Sequence, residues 1–251
     1  SCESKMLNNK KITVVMPAYN AGATLSETYN NIPFDVVDEI ILVDDFSSDN
    51  TVEIAKSLNI KIIEHNKNLG YGANQKTCYK EALKLNSDII IMLHPDFQYD
   101  PRLIPSLASM LAYDNYDCAI ASRFLMGSAR KSKMPKYKYI ANKLLTFFQN
   151  LCLNKGLSEY HSGYRAFKKE VLENINFEKL DNDFIFDNQM LTLILYKNYS
   201  IGEISCPTKY FDAASSINFM RSIKYGFGVL LTSIYFVLAK LKIYENKIFK
   251  D

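Results

Sequence analysis

Apolar residues in the first half of the chain gather in short continuous runs. ITVVM (Ile12 to Met16), EIILV (Glu39 to Val43), KIIE (Lys61 to Glu64), DIIIML (Asp88 to Leu93) and CAIAS (Cys118 to Ser122) recur with polar intervals between them. Runs of this kind suit parallel strands covered on both faces. Between them, ATLSETYNN, TVEIAKSL and YGANQKTCYKEALKL carry helical spacing, the second opened by Asp49 or Asn50 as N-cap. The order β-α-β-α predicts an α/β domain with a mostly parallel sheet. Near Arg221 the composition shifts to an oily helix that ends in Lys240, Lys242, Lys247 and Lys250. The expected organisation is a loose tail over 1–10, one domain over 11–220 and a C-terminal apolar and basic helix over 221–251.

Composition narrows this picture. At 251 residues and 48% hydrophobic, the chain can bury a full core. Its five cysteines, Cys2, Cys78, Cys118, Cys152 and Cys206, are odd in number and include no C-x-x-C pair. Free thiols in a reducing, cytoplasmic setting are expected, not a disulfide framework or a zinc knuckle. Thirty basic against 27 acidic residues leave a net charge of +3, too balanced to imply nucleic acid. The stretch from Tyr225 to Ala239 is the longest uncharged one and falls short of the roughly 20 residues that span a bilayer, so no transmembrane helix is expected.

In an open α/β sheet, ligands bind beyond the carboxyl ends of the strands. Polar residues collect there. Pro17, Ala18, Tyr19 and Asn20 follow the first run, Asp44 and Asp45 the second, and His94, Asp96 and Gln98 the fourth. A carboxylate ending a buried strand is costly unless it is bound to something. Asp44 and Asp45 therefore either tie down a turn or accept hydrogen bonds from a base or a ribose. No phosphate-binding glycine motif is present, and Gly70 and Gly72 of NLGYGANQKT read chiefly as turn formers. In LHPDFQYDP, His94, Asp96 and Gln98 alternate along an extended segment, so an imidazole and two oxygen donors can face one way as cation ligands. Asp100 and Pro101 begin a helix.

Six segments, VVMPAYNAGATL, EIILVDDFSSDNTVEIAK, NKNLGYGANQKT, IIIMLHPDFQYDP, ASRFLMG and SGYRAFKKEVLE, succeed one another as in family 2 glycosyltransferases of the GT-A fold. The chain resembles most the dolichol-phosphate-mannose synthase-like branch, from about Lys11 to Lys240. The resemblance implies a Rossmann-like GT-A sheet with a C-terminal helical appendage, a nucleotide-diphosphate sugar donor, a divalent cation (Mn²⁺ or Mg²⁺) and inversion at the anomeric carbon. It also implies that Pro17, Ala18 and Tyr19 line the nucleotide pocket, that Asp45, with Asp44 beside it and Gly70 near, holds the base or ribose, and that His94, Pro95 and Asp96 stand for the D-x-D motif with Gln98 as a further ligand. Arg123 and Arg165 match positions that contact phosphate or acceptor. Two departures are Ala21, where an acidic residue is common, and His94, where the first aspartate is expected. A neutral imidazole suits Mn²⁺ better than Mg²⁺.

Asp187, in NDFIFDNQMLTLIL, either caps a helix or is the base that deprotonates an acceptor hydroxyl. A lipid phosphate acceptor, already anionic, needs no base. Arg130, with Lys131 and Lys133, falls in a basic stretch on the acceptor side, and His161 is a second-rank candidate for substrate contact. The expected function is transfer of a sugar to a polyprenyl-phosphate-like lipid or a glycan. The alternatives are a hydroxyl acceptor with Asp187 as base, and a silent nucleotide-sugar-binding protein lacking the first D-x-D carboxylate. The C-terminal helix is apolar on every face, so it meets its own domain, a second copy in a homodimer, or the inner membrane surface.

Overall fold

The computed structural model describes residues 7–127, 134–208 and 219–250. Seven strands form one sheet in the order β3-β2-β1-β4-β6-β5-β7. They are β1 (Ile12–Ala18), β2 (Glu39–Asp44), β3 (Lys61–Glu64), β4 (Ile89–Met92), β5 (Cys118–Ser122), β6 (Arg165–Lys168) and β7 (Ile201–Ser205). The first five strands coincide with the five apolar runs to within two residues at either end. β6 was not legible as a strand. It runs antiparallel between β4 and β5, and the other pairings are parallel.

Four of the five runs are explained by burial on both faces, whereas β3 is an edge strand with Lys61 and Glu64 exposed and its isoleucines half-buried. Val15, Ile41, Val43, Ile90, Met92 and Ile120 feed one core, and Val14, Met16, Leu42, Ile89, Ile91 and Ala119 feed the other. The first core is closed by α3 (Tyr71–Lys84), α7 (Phe186–Tyr196) and α8 (Phe219–Lys240), and the second by α1 (Leu25–Asn30), α2 (Thr51–Ser57) and α4 (Ile104–Ala112). Two further helices are α5 (Lys136–Leu153) and α6 (Lys169–Asn174). Asp49 accepts the first helical N–H of α2, from Thr51, and Asp100 accepts that of Arg102 ahead of α4, as their spacing predicted.

Two expectations change. Residues 7–9 belong to the folded body: they make a tight turn with Asn8 at φ 50°, and the Asn8 amide donates to the Ala112 carbonyl at 2.7 Å. The second concerns α8, which is longer than the uncharged run inside it. Its 22 residues include Arg221, Lys224 and Lys240, and by length and composition it can cross a membrane. At 1.5 Å per residue it is about 33 Å long. Only part of it is covered: Val229, Thr232, Ser233, Phe236 and Ala239 are buried, against α5 and α7 among others.

The start of α3 is tightly docked. Gly72 donates to the Asn182 carbonyl at 2.8 Å, and a Cβ on Gly72 would lie 2.6 Å from the Asp181 carbonyl and 2.7 Å from the Phe186 Cβ. Neither obstacle is the end of a flexible side chain. Gly72→Ala should therefore cost about 1–3 kcal/mol by overpacking, read as a lower denaturant midpoint with an unchanged slope.

Candidate active site

β1 is the switch point of the sheet, because the chain builds outward through β2 and β3 and then returns to its other side with β4. The loops after β1, β2 and β4 consequently meet over one crevice. They are stitched together. Asn20 N–H donates to Ser47 Oγ at 2.9 Å, and Thr24 Oγ1 donates to the Pro95 carbonyl at 2.6 Å. Pro17 and Ala18 are buried within β1, whereas Tyr19 is 57% exposed and faces outward with Phe46, 58% exposed.

The two strand-end aspartates have different tasks. Asp45 accepts hydrogen bonds from Leu69 N–H (2.8 Å), Gly70 N–H (3.0 Å) and the His65 ring (2.8 Å). His65 is held in turn by Thr77 Oγ1 at 3.0 Å. Asp45 is thus occupied by the loop ahead of α3. Among the described residues the Asp44 side chain accepts only Ser47 N–H, and its Oδ1 is buried with no partner. Gly70 sits at φ 104°, and a Cβ there would meet the Asn182 carbonyl at 2.7 Å. Its N–H serves Asp45, in keeping with a turn former.

After β4, His94, Asp96 and Gln98 are half-buried in one loop. Asp96 Oδ1 accepts the Gln98 N–H at 3.1 Å, and burial pushes the Asp96 carboxyl above its usual range, against the opposing effect of His94. Among the described residues no three His, Cys, Asp or Glu side chains form a cluster able to hold a metal ion. One carboxylate, one imidazole and one amide are too few for a closed cage. They fit a cation that arrives with oxygens of a diphosphate, the usual arrangement for a hard cation on a nucleotide.

Asp187 lies in the first turn of α7 and is 4% exposed. Its Oδ2 accepts the Tyr71 hydroxyl at 2.6 Å, and Tyr71 OH also stands 3.2 Å from His94 Nε2. Asp187 Oδ1 has no hydrogen-bond partner and faces Arg165 Nη1 at 3.8 Å. The geometry gives Arg165 a different task from the phosphate contact expected of it. It is fully buried, and its guanidinium donates to the carbonyls of Tyr160, Ser162 and Asp187. Arg123 is likewise engaged, through Nε and Nη2, by the buried carboxylate of Glu159, with Nη2 at 2.7 Å. Burial alone would raise the Glu159 carboxyl, but the charge and hydrogen bonds of Arg123 outweigh it and hold it below its usual range. Arg130, Lys131 and Lys133 lie outside the described residues.

His161 Nδ1 is hydrogen-bonded to Tyr225 OH of α8 at 2.6 Å, which ties the C-terminal helix to this centre, and its Nε2 is buried without a partner. Tyr71, Glu159, His65 and Tyr225 are the site residues that sequence reasoning missed. Tyr71 and Asp187 are 116 positions apart, so no local spacing joins them. A carboxylate beside His161 in SEYHSGYR was the one available signal for Glu159.

The sequence pattern described as Glycosyl transferase family 2 matches residues 13–175. The UDP-N-acetylglucosamine–dolichyl-phosphate N-acetylglucosaminyltransferase of Methanococcus voltae is 28% identical over 249 residues, 92% of this chain and 99% of that one. The dolichol-phosphate mannosyltransferase of Pyrococcus furiosus is 28% identical over 179 residues, 68% of this chain and 49% of that one. Among solved structures, glucosyl-3-phosphoglycerate synthase of Mycobacterium tuberculosis, in complex with Mn²⁺, uridine diphosphate and glucosyl-3-phosphoglycerate, superposes with a TM-score of 0.67 at 17% identity, covering 95% of this chain and 82% of that one. The sheet and its flanking helices are the GT-A arrangement that the motifs implied.

The buried histidine supplies a pH test. Burial is the main force driving the His161 imidazole down to about 3, Glu159 opposes it, and Arg123 and Arg165 add to it. In the unfolded chain the ring titrates near 6.5. Between those values the unfolded state binds the extra proton, so this contribution to stability is lost as pH falls through the window and levels off below it. His161→Gln should flatten the fall in denaturant midpoint between pH 7 and pH 4. An equal slope in both proteins would mean that the ring titrates freely in the native state.

Proposed function

The chain belongs to glycosyltransferase family 2, and on that premise we propose that it moves a hexosyl group, with inversion, from a nucleoside-diphosphate sugar to the phosphate of a membrane lipid. One observation carries the choice of acceptor. α5 is inside out: Asn142, Thr146 and Gln149 face the protein, Gln149 bonding Asn188 and Thr192 of α7, while Tyr137, Ile140, Leu144, Phe147 and Leu151 face outward. Phe147 is 70% and Leu151 71% exposed. Beside it, α8 exposes Ile223, Phe227, Leu231 and Ile234.

Water is a poor partner for such a face, since covering each large apolar side chain is worth roughly 1.5–3 kcal/mol. Lys136, Lys138, Arg221, Lys224 and Lys242 flank it, the pairing of apolar face and basic border that seats helices on an anionic bilayer. Tyr225, on the protein side of α8, reaches His161 within the catalytic cluster. A headgroup at this surface would thus lie close to Asp187. The Methanococcus voltae relative is named for transfer to dolichyl phosphate, which supports the same acceptor class. Cys78, Cys118, Cys152 and Cys206 are free thiols, in keeping with work on the cytoplasmic side.

Within this reading Tyr19 and Phe46 border the base, and Asp44, not the occupied Asp45, accepts from the base or ribose. Asp96, His94 and Gln98 hold the divalent cation, whose charge offsets that of the departing diphosphate. The acceptor phosphate is already an anion, so Asp187 orients groups and no general base is needed. Arg165 fixes Asp187, and Arg123 is presented rigidly by Glu159 at the acceptor side.

Transfer from a panel of nucleotide sugars to a polyprenyl phosphate in vesicles tests the reaction. Product should form with Mn²⁺ present, and Asp96→Ala should bring donor binding down to its cation-free level. Equal cation-dependent binding in wild type and Asp96→Ala would refute the cation assignment.

The surface has its own test. The protein should co-sediment with anionic liposomes at low salt, and Phe147→Glu with Leu151→Glu should release it without lowering the thermal midpoint. A salt-insensitive dimer that ignores liposomes would instead make the face an interface between copies.

A further inference from the structure

His94 is accommodated by its surroundings. Its ring lies parallel to that of Tyr71, with 5.4 Å between centroids and 2° between planes, and Phe184 packs on the same tyrosine at 4.9 Å. On another side stands Gly163, where a Cβ would come within 2.7 Å of Nε2. An aspartate in place of His94 would need neither neighbour.

The proton count around Tyr71 then fixes the state of this ring. A phenol has one proton to give, and a carboxylate can only accept. Tyr71 gives that proton to Asp187 Oδ2 across 2.6 Å. Toward His94 Nε2, 3.2 Å away, its oxygen can therefore only accept, so Nε2 carries the ring proton. In a neutral imidazole with Nε2 protonated, Nδ1 is the lone-pair nitrogen. No hydrogen bond from the described residues occupies Nδ1.

We propose that Tyr71 is a positioning residue that locks His94 in the Nε2–H tautomer and so offers Nδ1 as a nitrogen ligand, beside Asp96, to the divalent cation of the donor complex. This rests on the reading of Asp96, His94 and Gln98 as the cation site and deepens it by naming the ligating nitrogen and the residue that sets it. A hydrogen bond to the far nitrogen of a ligating histidine sets its orientation and its basicity. Mg²⁺ keeps to oxygen in a strict octahedron, whereas Mn²⁺ accepts imidazole. The site should accordingly select Mn²⁺ over Mg²⁺. The same phenol also bonds the acceptor-side carboxylate Asp187, so the cation position and the acceptor position share one hydrogen-bonded chain.

The test uses the full chain with Mn²⁺ and uridine diphosphate, and with guanosine diphosphate in a parallel arm. Electron spin-echo envelope modulation of bound Mn²⁺, with ¹⁵N-labelled histidine, should show a directly bound nitrogen in wild type and none in His94→Asp. Tyr71→Phe removes one oxygen and keeps the ring stack. It should weaken Mn²⁺ about 10- to 100-fold, as losing such a partner does, and leave cation-free nucleotide affinity unchanged. Tight, Asp96-dependent Mn²⁺ binding without a nitrogen signal, or with full affinity in Tyr71→Phe, overturns this inference and spares the proposed sugar transfer with Asp96 as cation ligand. Failure of both nucleotides to bind overturns both.

Discussion

The candidate active site depends on one buried guanidinium. Arg165 opens the lone antiparallel strand and is fully buried. A buried cation persists only when its donors are satisfied, and three of them end on carbonyls from two separate segments, 160–162 and the first turn of α7. Its charge also faces Asp187 at 3.8 Å. In this way the strand inserted between β4 and β5 is joined to the helix that carries Asp187. Tyr71, Asp187 and His94 keep their mutual geometry because Arg165 holds the ground beneath them.

The same economy governs the other charged residues. Asp45 and Arg123, which by position look free to meet a ligand, are taken up by His65 with two backbone amides and by Glu159. What they give is rigidity: the loop before α3 and the end of β5 are held before any substrate arrives, the condition under which fixed dipoles stabilise developing charge. Among the described residues, five buried side-chain polar atoms lack a hydrogen-bond partner, and three of them belong to this site. Asp44 Oδ1, Asp187 Oδ1 and His161 Nε2 are all buried without a hydrogen-bond partner. Such atoms are costly in a finished core, which is why they mark the places where a ligand or a small rearrangement has a use for them.

Polarity reverses on leaving this centre toward α5 and α8. The sheet follows the ordinary rule of apolar inside, whereas α5 turns amides and a hydroxyl inward to α7 and apolar residues outward. With Tyr225 bonded to His161, the surface helices and the candidate site form one packed unit, so that whatever the apolar face rests on is held at a set distance from that site.

Much of this was determined by the sequence itself. Strands buried on both faces need continuous Ile and Val runs, and five such runs located β1 to β5. Motif order identified the family, and the carboxyl-end position of Asp44, His94 and Asp96 located the crevice, because parallel strands all point their polar loops the same way. Tertiary structure decided the rest. β6 adds four residues without a distinguishing period, and only its pairing with β4 and β5 makes it a strand. The division of labour between Asp44 and Asp45, the burial of Arg165 and the proton held between Tyr71 and Asp187 all arise from contacts between distant segments. Local pattern records a residue's own preference for water or core, and it holds no record of the partner that a remote loop brings to it.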